Sequence, residues 1–240
     1  MADQIVNISS KKIARVAGIG YLVIFITGIF SNFFVVESLI VSGDAAQTAH
    51  NIMDNDFLFR IGILSFFIMV VFDVVLAWAL YVLLKPVNKN LSLLSGWLRL
   101  VNSTIFGIAL YNLLSVLQIL SGAEYLKVFV TDQLQAQVML SLNTFNSTWL
   151  IGLVFFGFHL FVLGYLIFKS GYIPRILGIL LVIASIGYLI DSVANFLLSN
   201  YTDYKNLFLM IVVVPGIIGE LSLTFWLLLK GAKIPEIGER

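Results

Sequence analysis

Phe155-Phe-Gly-Phe-His-Leu-Phe-Val-Leu-Gly-Tyr-Leu-Ile-Phe-Lys-Ser-Gly-Tyr-Ile-Pro-Arg175 is an apolar run with one histidine, His159, that stops at Lys169 and turns; a second apolar run follows Arg175. A break of this kind reads as the turn between two membrane-crossing helices, because ~20 mainly apolar residues span a hydrocarbon layer of ~30 Å. Applied along the chain in both directions, the same requirement gives six spans, near 16–36, 61–84, 100–120, 146–168, 176–198 and 207–229. The expected fold is all-α: a polytopic membrane protein, a bundle of six transmembrane helices in three hairpins, forming a single integral-membrane domain over 1–240.

Composition agrees. Of 240 residues, 60% are hydrophobic and 11% charged, where soluble proteins carry about 25% charged. The absence of cysteine excludes disulfides, thiol nucleophiles, iron–sulfur clusters and cysteine-bound zinc. A net charge of +1 suggests no nucleic-acid partner. The uncharged run Val16–Val36 after Lys11, Lys12 and Arg15 outlasts the ~7–15-residue apolar core of a signal peptide, so it reads as a retained first helix.

Six spans put both termini on one side, and the basic residues choose the side. The termini and the turns at 85–99 and 169–175 hold Lys11, Lys12, Arg15, Lys85, Lys89, Arg99, Lys169, Arg175, Lys230, Lys233 and Arg240; the other connections hold Arg60, Lys127 and Lys205. Eleven against three predicts cytoplasmic termini. Of the outward connections, 37–60 and 121–145 read either as loops or as short amphipathic helices over the bundle mouth, and Ser199–Lys205 is short. Gly171 and Gly231 suit helix C-caps. Trp97, Trp149 and Trp226 are placed as interfacial anchors and Trp78 as a deeper packing residue.

Three ionisable residues lie inside spans that end in lysine: Asp73, His159 and Glu220. They precede Lys85, Lys169 and Lys230 by 85 − 73 = 12, 169 − 159 = 10 and 230 − 220 = 10 residues. At 1.5 Å per residue this sets all three ~15–18 Å from the interface, near the midplane. Ionisable groups there are costly and usually face a bundle interior or a water cavity. Two carboxylates and one imidazole permit metal binding, proton relay, or pairing that holds helices together. One intramembrane histidine is a poor zinc set, since catalytic zinc sites commonly use two or three nitrogen ligands. Cofactor and metal are otherwise unassigned by the sequence.

A second group lies toward the other face. Tyr188, Asp191 and Asn195 share a helix face at i, i+3 and i+7, and Arg60 begins its span at the same level, so an Arg60–Asp191 pair is one expectation and a lone, outward-reaching Arg60 the other. The last span contains Pro215-Gly-Ile-Ile-Gly-Glu220, a kink with room for a close neighbour. Asn102, Asn112, Ser115 and Gln118 give the third span a polar side suited to interhelical hydrogen bonds. Arg15-x-x-Gly18-Ile19 and Arg175-x-x-Gly178-Ile179 hint at a repeat, which membrane-helix grammar explains equally well. His-Glu-x-x-His, Gly-x-Ser-x-Gly and phosphate-loop motifs are absent.

The chain resembles the bacterial membrane proteins grouped as domain-of-unknown-function family 4386. The likeness is carried by Ala14-Arg-Val-Ala-Gly-Ile-Gly-Tyr-Leu, Gly96-Trp-Leu-Arg99, His159-Leu-Phe-Val-Leu-Gly-Tyr-Leu, Tyr172-Ile-Pro-Arg-Ile-Leu-Gly178, Pro215-Gly-Ile-Ile-Gly-Glu220 and Trp226-Leu-Leu-Leu-Lys-Gly231. It covers the chain nearly end to end and implies a multi-helix protein of the bacterial inner (cytoplasmic) membrane, with no reaction, substrate or cofactor attached. His159 and Glu220 fall within these motifs. The function expected is a small permease or ion/proton-coupled membrane protein, with the bilayer around it and a small molecule, ion or lipid as substrate. The alternatives are an intramembrane, metal-assisted lipid hydrolase and a non-catalytic membrane partner.

Overall fold

The computed structural model describes residues 10–231, which are helical apart from turns and contain no strand. Lys233 and Arg240, counted above for orientation, lie outside the described residues. Helix α1 (Ser10–Ile29) runs through a π-helical segment, Phe30–Val36, into a one-turn α2 (Glu37–Leu39). A short helix, α3 (Ala45–Asp54), begins at Asp44, whose side chain accepts from the Gln47 amide and so caps it. The long helices follow: α4 (Asp56–Leu84), α5 (Lys89–Ile119), α6 (Thr131–Ser170), α7 (Arg175–Leu197) and α8 (Tyr201–Leu229). Six helices among the described residues are long and apolar enough to cross a membrane. The protein is a multi-pass, all-α membrane protein.

Its side chains are distributed as the bilayer requires. Ile26, Leu64, Phe161, Ile183 and Leu209 are exposed, while Asp73, Arg99, Asn102, His159, Ser192 and Thr224 are buried. Exposed apolar and buried polar groups together are the informative departure from a water-soluble pattern.

The helices outrun the predicted spans, and the connections shrink accordingly. The region 131–145, read as loop or short helix, is the start of the 40-residue α6. Between α7 and α8 only Leu198–Asn200 stay outside helix. The turn expected over 85–99 closes by residue 88, because Asn88 accepts from the Leu91 amide at 3.0 Å and starts α5 there. Gly171 and Gly231 do end their helices in the left-handed region, at φ +73° and +64°. Trp78, expected to be packed inside, is 48% exposed.

The chain forms two compact units. One is built, among the described residues, from those up to Leu22, from Phe72–Asn102 and from those after Gly152. Here α6 and α7 approach at glycine: a Cβ on Gly178 would meet the Gly164 carbonyl oxygen at 2.5 Å. Tyr172, in the turn between them, donates to the Leu83 carbonyl at 2.7 Å, and burial holds its phenol well above the ordinary range. Lys11 lies beside Gly231, so the start of α1 and the end of α8 meet.

The other unit comprises Val23–Val71 and Ser103–Gly152. Its core is aromatic. Trp149 stacks on Phe106 at 3.7 Å between centroids and 6° between planes, with Phe66 and Phe145 tilted against it. Trp149 is therefore part of a packed cluster. Ser31 donates to the Gly62 carbonyl at 2.9 Å, tying the π-helical segment to α4.

Candidate functional site

Asn88 starts α5 far enough upstream to carry Arg99 deep into the helix. The residue is 99 − 89 = 10 positions beyond Lys89, the same offset that separates His159 from Lys169 and Glu220 from Lys230. Arg99 was expected at the cytoplasmic turn. It is instead 1% exposed, and the whole site is arranged around it.

Its guanidinium makes two side-chain bonds. Nη2 donates to Asp73 Oδ1 of α4 at 2.5 Å, and Nη1 donates to His159 Nε2 of α6 at 3.1 Å. An arginine can only donate. His159 Nε2 must therefore be the bare, accepting nitrogen, and the ring proton sits on Nδ1. That proton has an acceptor in place, the Ser95 carbonyl oxygen at 2.8 Å, with Ser95 Oγ alongside at 3.1 Å. The imidazole is neutral, and its tautomer is set from both sides.

Aromatic rings close over the charge. Tyr21 and Phe156 lie with their ring centroids 5.2 and 5.5 Å from the guanidinium carbon, within the range of a cation–π contact. Phe156 also stacks loosely on His159 at 5.9 Å and meets Tyr188 edge-on at 5.1 Å. Tyr188 of α7 donates to Glu220 Oε1 of α8 at 3.3 Å, a long bond. Glu220 is in turn coupled electrostatically to Arg99. Each of the six spanning helices thus sends one side chain to this region: Tyr21, Asp73, Arg99, His159, Tyr188 and Glu220.

Of the three residues singled out from the sequence, Asp73 and His159 are brought together through Arg99. Glu220 joins through Tyr188 and through the field of Arg99. The guanidinium stands between carboxylate and imidazole, where its positive charge opposes a metal cation. Among the described residues no cluster of three or more His, Asp or Glu forms a metal-ligand set. Two donors remain unpaired at the centre, Arg99 Nε and Tyr21 Oη, and the buried Asn102 amide, one turn beyond Arg99, is also without a hydrogen-bond partner. Such groups are expensive to leave unsatisfied unless water or a ligand visits them.

The second group divides. Tyr188 belongs to Glu220. Asp191 accepts from Tyr201 at 2.6 Å, Asn195 also interacts with Tyr201, and burial first, then Asp191, pushes the Tyr201 phenol up to about 12. Arg60 is engaged within its own helix, its Nε donating to Asp56 at 2.7 Å.

A signal for Arg99 lies in the sequence: counted from the lysine at each helix start, 99 − 89 = 10 and 21 − 11 = 10 put both Arg99 and Tyr21 in the same layer.

Comparison with known proteins places the chain in a family and leaves the chemistry open. A family model described as "Domain of unknown function (DUF4386)" matches residues 16–231. An uncharacterized protein of Archaeoglobus fulgidus (strain ATCC 49558 / DSM 4304 / JCM 9628 / NBRC 100126 / VC-16) is 37% identical over 175 residues, which cover 73% of this chain and 86% of the relative. No solved structure matches the chain. The chain belongs to the DUF4386 family.

Proposed function

We propose that the protein is a small proton- or ion-coupled permease of the bacterial cytoplasmic membrane, with both termini in the cytoplasm. Asp73, Arg99 and His159 form its fixed charged centre, and Glu220 is its exchangeable proton site. The observation that carries this reading is the contrast in how the two carboxylates are held. Asp73 is locked by a short, charge-assisted bond to Arg99. Glu220 is buried on a long bond from Tyr188, in a helix where Pro215 removes one backbone donor, and can take up or release a proton while losing little. The unpaired donors Arg99 Nε and Tyr21 Oη offer a water or a small substrate acceptor somewhere to bind beside it. The basic-residue asymmetry supports the orientation.

Purified protein in vesicles loaded with a pH-sensitive dye tests the proposal. An imposed membrane potential should drive proton movement that Glu220→Gln abolishes and Asp191→Asn leaves intact. Equal flux in the wild type and Glu220→Gln would overturn it. One observation favours a second reading: the bonds of Arg99 join three helices, as a purely helix-locking role requires. In that case no flux would be seen, and Arg99 variants would lose only stability. A metal-assisted lipid hydrolase is the weakest reading, because the guanidinium occupies the place a metal would need.

A further inference from the structure

In the other unit, α4 and α5 leave a groove of about 520 Å³, within the ~300–1,000 Å³ range of ligand pockets. Arg60, Leu64 and Phe67 line one side and Gly107, Tyr111 and Leu114 the other, each set spaced i, i+4, i+7 along its helix. The lining on α5 extends from Gly107 to Leu117, or 117 − 107 = 10 residues, which is ~15 Å at 1.5 Å per residue and matches one leaflet of a ~30 Å hydrocarbon layer. An apolar slot of one-leaflet length suits a hydrocarbon chain lying along it.

Its one charge is at Arg60. The guanidinium is exposed and engages Asp56 through Nε, which leaves its two terminal NH2 groups for an anion. Arginine offers paired donors that match phosphate oxygens. We propose that this groove binds a glycerophospholipid, one acyl chain lying between α4 and α5 and the phosphate resting on Arg60. Asp56 competes with that phosphate for the same cation.

Native mass spectrometry of the full-length protein, titrated with palmitoyl-oleoyl phosphatidylglycerol, tests the assignment. The wild type should retain one lipid. Arg60→Gln should weaken retention roughly tenfold, the equivalent of one charge-assisted contact. Asp56→Asn should strengthen it. Gly107→Leu should also weaken it by filling the slot; a Cβ there meets only Val70 at 4.0 Å, so the helices need not move. Retention that is equal across all four proteins overturns the proposal. So does a phosphate-free diacylglycerol held as tightly as the phospholipid, or a groove occupied by a second copy of the chain. Should Gly107→Leu fold poorly, the opposite shifts expected for Arg60→Gln and Asp56→Asn still decide the matter.

Discussion

The two units of this protein hold their helices together by opposite means. One is centred on an ion pair, with Arg99 bonded to Asp73 and His159 and sandwiched against aromatic rings. The other has Trp149 stacked among Phe66, Phe106 and Phe145, with nothing there to titrate. Shape alone suffices for association in a membrane, where lipid tails are as apolar as leucine and packing does the holding. Helix association as such therefore does not require a buried charge. A group as costly to bury as arginine is expected where it serves function, and the comparison directs attention to that unit.

The largest effect should come from removing the cation. Arg99→Met leaves Asp73 buried without a counter-charge, and thermal unfolding in detergent should show a loss of about 3–5 kcal/mol. Adding Asp73→Asn should restore part of it. If the double variant is as unstable as the single, the ion pair is not what Arg99 supplies. In the aromatic unit, Trp149→Ala should cost about 2–4 kcal/mol, somewhat below the full-burial range because the residue is only partly buried. That loss should be the same at every pH between mildly acid and neutral; a pH-dependent loss would break the contrast between the two units.

Smaller changes sharpen it. Tyr201 donates to Asp191, and its phenol, pushed up to about 12 by burial and the carboxylate, is favoured neutral in the folded protein. Its contribution should be complete below the ordinary tyrosine value of about 10 and disappear as pH rises from there through the folded value. Tyr201→Phe should remove that alkaline component at a cost of about 1 kcal/mol, read from unfolding midpoints across pH. Ser95→Ala should cost less than about 1 kcal/mol, because the carbonyl of the same residue, closer to His159 Nδ1, keeps the ring proton's acceptor in place.

The membrane class and the six crossings were legible because apolar length is a local property of the chain. Asp73, His159 and Glu220 were legible as a layer for the same reason, since a charge inside an apolar run is conspicuous. Arg99 was not. An apolar window begins after a charge, so it starts the third span at Leu100 and leaves the residue that organises the site to a turn. The helix start at Asn88 was the local evidence against that, and it moves the arginine ten residues inward. Partners were hidden for a different reason. Hydropathy says which segments cross and not which faces meet, so nothing local paired Asp191 with Tyr201, although the i, i+4 spacing of Asp56 and Arg60 was a local cue for their pair. The aromatic cluster escaped similarly: Trp149 at a helix level suited to an interface looks the same in sequence whether it faces headgroups or Phe106.

The most direct test of the charged centre is the proton position on His159. His50→Gln leaves it the sole histidine, and nitrogen chemical shifts of the labelled ring at neutral pH then report its tautomer. The account predicts one species, protonated on Nδ1 and bare on Nε2, replaced by a mixture when Arg99→Met is added. A ring protonated on Nε2, or on both nitrogens, in the protein with Arg99 intact would contradict it, because Arg99 would then have no acceptor there.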